Sequence, residues 1–211
     1  MTSSDRTRAR IQIYRLLSRA FLYPNEESLQ ALAEESASLT SSLEVLEGED
    51  QLREVGKAFV ASAKASPATE LEGAYNALFS GRAPCYLNES DYDRNPFART
   101  HRMADAAGFY QGFGMEPSTQ AGERPDFIGT ELEFMYWLLV KQVYAEEQDW
   151  QEEAAVCRDA QAKFFHEHLV WWVPQLCEKL ETTSSCTYYR SLATFLKAFI
   201  EGEEARLPLP A

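Results

Sequence analysis

The residues with the most capacity for chemistry stand in one stretch, Gly122-Glu123-Arg124-Pro125-Asp126-Phe127-Ile128-Gly129-Thr130-Glu131-Leu132-Glu133-Phe134-Met135. Carboxylates gathered this closely can hold a hard cation or receive a guanidinium group from another molecule. Pro125 lacks an N–H and has a helical φ, which suits the first turn of a helix. Asp126 then puts negative charge in that turn, where the helix dipole favours it by roughly 0.3–1 kcal/mol. Glu131 and Glu133 fall inside a helix whose other positions, Ile128, Leu132, Phe134, Met135 and Leu138 among them, are apolar almost all round. Such a helix is largely buried, and a buried carboxylate needs a partner. The partner is either an internal arginine, Arg99 or Arg102, or a cation brought into a groove where Glu123, Asp126 and Glu131 share a face.

Other chemistry is poorly supplied. The three histidines, His101, His166 and His168, lack the spacing of the common metal sites; His166 and His168 are two apart and so point to different helix faces. The four cysteines at 85, 157, 177 and 186 include no Cys-x-x-Cys pair and read as small buried thiols in a reducing compartment. No phosphate-binding glycine loop, dinucleotide fingerprint or nucleophile elbow occurs. The expectation is a non-enzyme with no metal and no cofactor.

Twenty Lys and Arg against 33 Asp and Glu give a net charge of −13. That excludes a phosphate-backbone binder, whose affinity comes from basic side chains displacing counterions, and disfavours an anionic membrane surface. A basic peptide or a positive protein patch is the better electrostatic match. Arg6, Arg8 and Arg10 imitate a basic leader, but Gln12, Arg15 and Ser18 break up the residues after them, so the segment reads as a helix of the mature protein. The longest apolar run, Phe134 to Val140, is far short of a bilayer span. The expected location is the cytoplasm, without membrane insertion.

The elements that must position these groups carry the helical period. Ile13, Leu16, Leu17, Ala20 and Phe21 fall at i, i+3, i+4, i+7 and i+8 ahead of Pro24, and Leu71, Ala74, Tyr75, Leu78 and Phe79 repeat the spacing. No alternating run appears, so the fold is all-α: a single helical bundle of about eight to nine helices over residues 1–211. Two irregular loops interrupt it, Gly81 to Pro96 and Met115 to Pro125, and loops of that kind are often functional. The second is a candidate hinge near 111–125 between lobes 1–114 and 125–205, compatible with a monomer or a domain-swapped homodimer.

Glu123-Arg-Pro-Asp-Phe-Ile-Gly-Thr-Glu-Leu-Glu-Phe-Met135 resembles the Glu-x-Pro-Asp-His…Glu-Leu-x-Phe-Met signature of the TorD/DmsD/NarJ-like redox-enzyme maturation chaperones. Pro84-Cys85-Tyr86 with Glu89-Ser90 and Tyr92 is similar to that family's Pro-Tyr-Glu-Ser-x-Tyr loop. Met103-Ala104-Asp105 with Gly108-Phe109-Tyr110 resembles the helix before the signature. Phe164-Phe165-His166-Glu167-His168-Leu169 with Trp172 and Pro174 is similar to its Phe-x-x-His-Leu-x-x-Trp-x-Pro segment. Phe127 stands where the family has histidine.

The resemblance implies an all-helical cytoplasmic chaperone that binds the catalytic subunit of a molybdopterin-dependent oxidoreductase, and its twin-arginine signal peptide, before export. It carries Glu123, Pro125, Asp126, Phe127, Glu131, Tyr86, Glu89, Tyr92 and His168 over as partner-binding residues. A helical adaptor for an unrelated protein, and an enzyme using the acids with a divalent metal, are the competing readings.

Overall fold

Apolar residues at helical spacing and breakers between them decide the architecture. The computed structural model of the chain describes residues 3–44, 49–95, 97–116 and 124–209. Among these it holds nine α-helices: α1 (Ser3–Ala20), α2 (Glu26–Glu44), α3 (Asp50–Ala65), α4 (Ala68–Phe79), α5 (Ala98–Gly112), α6 (Ile128–Glu147), α7 (Gln151–Phe164), α8 (Val173–Thr183) and α9 (Thr187–Arg206). The all-α expectation holds. Ser66 is driven into extended backbone by Pro67, which separates α3 from α4. Gly114, at φ 66°, ends α5 in the left-handed region that glycine tolerates, and Met115 N–H then caps the Tyr110 carbonyl at 2.9 Å.

The helices close around one apolar core. α1 lies along α6 and α2, α6 packs on α7, and α3 and α8 both pack on α9. Ile13, Leu17, Phe59, Phe134, Phe164, Leu176, Phe195 and Phe199 are among its fully buried members. Each contributes about 1.5–3 kcal/mol relative to an exposed side chain. Segments before and after residues 111–125 therefore share a single core, and the stretch 117–123 that would join the two lobes lies outside the described residues. Among the described residues no helix is long and apolar enough to cross a membrane.

Two places in this packing tolerate little change. A Cβ on Gly129 would sit 2.4 Å from the Phe127 ring and 3.0 Å from the Ser18 carbonyl oxygen, so glycine is required where α1 meets the start of α6. Gly129→Ala is expected to cost about 1–3 kcal/mol through overpacking. Gly73→Ala in α4, where a Cβ meets nothing within 4 Å, is expected to stabilise by about 0.5–1 kcal/mol. Thermal melts of the pair check this, and similar shifts for both would contradict it.

The other place is a buried charge cluster where α1 meets α9. Glu203 of α9, 0% exposed, accepts Arg10 Nε at 2.8 Å and Nη2 at 2.7 Å, the Tyr14 hydroxyl at 2.8 Å and Arg206 Nη1 at 3.1 Å.

Candidate functional site

The loop after α4 turns back on itself because its polar backbone finds partners in the segment before α6. Asn88 and Phe127 form an isolated antiparallel bridge; Glu89 N–H donates to the Asp126 carbonyl and Ile128 N–H to the Leu87 carbonyl, both at 2.8 Å. A short 3-10 turn, Glu89–Asp91, comes next. This pairing corrects the expected start of the helix. Pro125 and Asp126 precede α6, and Phe127, in extended backbone at φ −76° and ψ 134°, is its N-cap residue. Asp126 does not serve the helix dipole from the first turn. Its buried carboxylate instead accepts the Ser90 N–H at 3.0 Å and is clamped by Arg124, through Nε at 2.9 Å and Nη2 at 2.7 Å.

Glu89 is the hub beside it. Fully buried, it accepts Arg102 Nη1 at 3.1 Å and Trp171 Nε1 at 2.8 Å on one oxygen, and faces His168 Nδ1 at 2.9 Å on the other. The His168 ring arrives there because α7 loosens into a π-helical turn over Phe165–Leu169, a local device often found at functional sites. That ring stacks on Phe164 at 4.7 Å and is 1% exposed, while His166 turns the other way to the Leu207 carbonyl. Arg102 also binds Asp93 at 2.9 Å and lies 4.3 Å over the Trp171 ring. Arg124 reaches Asp91 at 3.0 Å and the Ser90 hydroxyl, and Arg99 takes the other Asp91 oxygen at 2.6 Å.

Glu131 differs from both proposed roles. It is 0% exposed, so it lines no open groove, and neither Arg99 nor Arg102 reaches it. Neither carboxylate oxygen has a hydrogen-bond partner. The nearby Trp172 Nε1–H is spent on the His168 carbonyl at 2.5 Å. Burial first, then the negative charge of Glu89 and Asp126, holds the Glu131 carboxyl well above the ordinary range. Glu133, read from the sequence as buried, is exposed on the outer stripe of α6.

A group that keeps its proton in the native state beyond the pH where the unfolded chain loses it makes the native state the better proton binder. Stability therefore falls as pH rises from the ordinary carboxyl range toward the raised native value. In chelator, Glu131→Gln removes this penalty. It is expected to match wild type near pH 4.5 and to exceed it by about 1–3 kcal/mol at pH 8. Parallel melting curves from pH 4.5 to 8 would count against it.

The structure thus brings Glu89, Asp126, Glu131 and His168 together in a buried cluster, with Phe127 buried at its edge. Pro125 enters through its carbonyl, which accepts the Tyr110 hydroxyl at 2.7 Å. Tyr92 is half-buried against Trp172, its hydroxyl on the Tyr86 carbonyl, and Tyr86 is 44% exposed on the outer face. Glu123 lies outside the described residues. The sequence did not single out Arg124 and Trp171 as parts of the site, or Arg102 as a partner of Glu89; the Arg-Pro-Asp run was the available signal for the first.

With the site in view, its kinship is informative. The family model described as nitrate reductase delta subunit matches residues 25–178, which contain Glu89, Asp126, Glu131 and His168 together. The chain belongs to this family. Over 140 residues the delta-subunit-family chain is 31% identical to the selenate reductase assembly chaperone protein of Thauera selenatis, covering 65% of the chain and 70% of that protein. It is 29% identical to the chlorate reductase assembly chaperone protein of Ideonella dechloratans, with the same coverage. To the perchlorate reductase assembly chaperone protein of Dechloromonas aromatica it is 29% identical over 99 residues, 47% of the chain and 43% of that protein. A redox enzyme maturation protein from Archaeoglobus fulgidus shares the fold, with a TM-score of 0.57 over 89% of this chain and 93% of that one, at 18% identity. The resemblance to maturation chaperones holds, and the named relatives are chaperones rather than catalysts.

Proposed function

We infer that this delta-subunit-family chain is an assembly chaperone for the catalytic subunit of a molybdopterin-dependent oxidoreductase, which it holds together with its twin-arginine signal peptide until the cofactor is in place. The observation that carries the reading is the family match over residues 25–178 to a chain whose relatives are assembly chaperones. The site adds physical support. Its acids already accept guanidinium groups from Arg99, Arg102 and Arg124, whose side chains are 53%, 29% and 31% exposed at the rim. A partner's arginine therefore enters by exchange, one charge-assisted contact for another, which sets register more than affinity. Affinity must come from apolar contact, and the exposed Tyr86 and the 89% exposed Phe97 offer it.

Tagged protein recovered from its native host under anaerobic growth tests this. One molybdoenzyme catalytic subunit still carrying its leader should be retained, and the Phe97→Ser variant should retain less of it at an unchanged melting temperature. Recovery of unrelated proteins alone, in a host expressing molybdoenzymes, would move the reading to the adaptor. Recovery of the subunit at equal yield with its leader deleted would remove the signal peptide from the proposal and leave the chaperone.

A further inference from the structure

Beneath the loop, three groups with metal-binding atoms converge, and one of them, Glu131, has no hydrogen-bond partner. We propose that Glu89, Glu131 and His168 form a site for a divalent transition-metal ion of the zinc type, which locks the 88–91 turn to α6 and to the π-helical turn. One ligand atom from each of the three lies within 4.8 Å of the others, and none of the three is more than 1% exposed. Both oxygens of Glu131 are buried without a hydrogen-bond partner, and His168 Nε2 has only the Asp105 carboxylate 3.3 Å away, outside hydrogen-bond geometry. Orphaned buried polar atoms are rare in folded proteins, and an unfilled ion site is one of the few physical reasons for them.

The donor set narrows the ion. Calcium and magnesium ask for six or more oxygens, largely from carboxylates, carbonyls and water. Two carboxylates and an imidazole suit zinc and its neighbours, with a water completing four-coordination. Zinc bonds of about 2.0–2.2 Å place neighbouring ligand atoms ~3–3.5 Å apart. His168 Nδ1 and the Glu89 oxygen are already 2.9 Å apart, so closure asks mainly for rotation of the Glu131 carboxyl, which no hydrogen bond holds.

The surroundings are those of a supported site. The second Glu89 oxygen is fixed by Arg102 and Trp171. His168 Nδ1 faces Glu89, and Nε2 faces Asp105 at 3.3 Å, so whichever nitrogen binds the ion, the other has a carboxylate to orient its N–H. Arg124 is committed to Asp126 and Asp91, and Arg102 to Glu89 and Asp93, so neither arginine is left to pair with an ionised Glu131. The inference stands apart from the chaperone reading, since it concerns only side chains of this chain.

The test is calorimetric titration of the chelator-stripped full chain with zinc chloride, with melting curves alongside. Wild type should bind one ion per chain, and a free zinc concentration a hundredfold above Kd should raise Tm by about 5–10 °C. Glu131→Gln should remain helical by circular dichroism and bind at least about tenfold more weakly, a loss comparable to that of other metal-site changes. Glu131→Ala provides the same comparison if the amide variant does not fold. Glu167→Gln, in the neighbouring Asp105–Glu167–His168 group whose two acids are exposed, should keep wild-type affinity. No stoichiometric zinc, equal affinity in both Glu131 variants, or loss confined to Glu167→Gln would each overturn the site.

Discussion

Glu89→Ala is expected to lower the melting temperature by roughly 6–20 °C. Glu89 is the common acceptor for Arg102, Trp171 and His168, and none of these finds another carboxylate at its Glu89-facing atom. Arg102 keeps Asp93, but the Trp171 N–H and the buried His168 Nδ1 both lose their Glu89 partner, and each polar group left unsatisfied costs about 1–3 kcal/mol. For a domain of this size each kcal/mol moves the midpoint by ~2–4 °C. The control is Arg99→Ala, which breaks an ion pair with Asp91 whose arginine is more than half exposed and which should cost at most about 1 kcal/mol. Thermal denaturation of both variants decides the matter. A midpoint for Glu89→Ala within a degree of wild type would show that the hub stabilises nothing.

The second large effect belongs to Glu203. Its carboxylate takes both forks of Arg10 and the Tyr14 hydroxyl, so Glu203→Ala orphans two groups of α1, while Arg206, which it also accepts, keeps its ion pair with Glu49. Burial, followed by the Glu203 charge, already pushes the Tyr14 phenol up, a sign of how little water reaches the cluster. A loss of about 3–5 kcal/mol is expected for Glu203→Ala. In the double variant Arg10→Met with Glu203→Leu, most of that loss should disappear, because no unpaired charge remains. Urea denaturation of the single and double variants tests it; strictly additive losses would refute the reading.

How much of this was legible in the sequence depends on how far apart the interacting residues lie. The period of α1, the Ser66-Pro67 break and the four thiols are local properties, and each stands as expected, with all four cysteines free and buried. Glu131 was conspicuous because a carboxylate among Ile128, Leu132 and Met135 breaks the pattern of a buried helix. Its lack of a partner was not legible, since that depends on Arg102 being drawn to Glu89, 13 residues away, and to Asp93. Glu133 was misjudged because an apolar count does not reveal which stripe of α6 faces water, and half-buried Tyr136 and Trp137 flank that stripe. The start of α6 slipped by two residues for a similar reason. Asp126 satisfies Ser90 and Arg124 rather than the helix, and that choice is made by a loop 36 residues earlier. The Arg10–Glu203 pair spans 193 residues and left no local trace.

The four buried thiols also make the chain its own stopwatch. Burial pushes the Cys177 and Cys85 thiols up, so in the folded protein neither offers the thiolate that an alkylating reagent attacks. Cys177 sits in α8 within the shared core, whereas Cys85 sits on the loop that carries Glu89 and is tied by its N–H to the Leu78 carbonyl. Alkylation of Cys177 therefore counts excursions of the whole fold, and any faster alkylation of Cys85 counts departures of the loop alone. The ratio of the two rates measures how often the acidic site lifts off its base while the bundle beneath it stays shut.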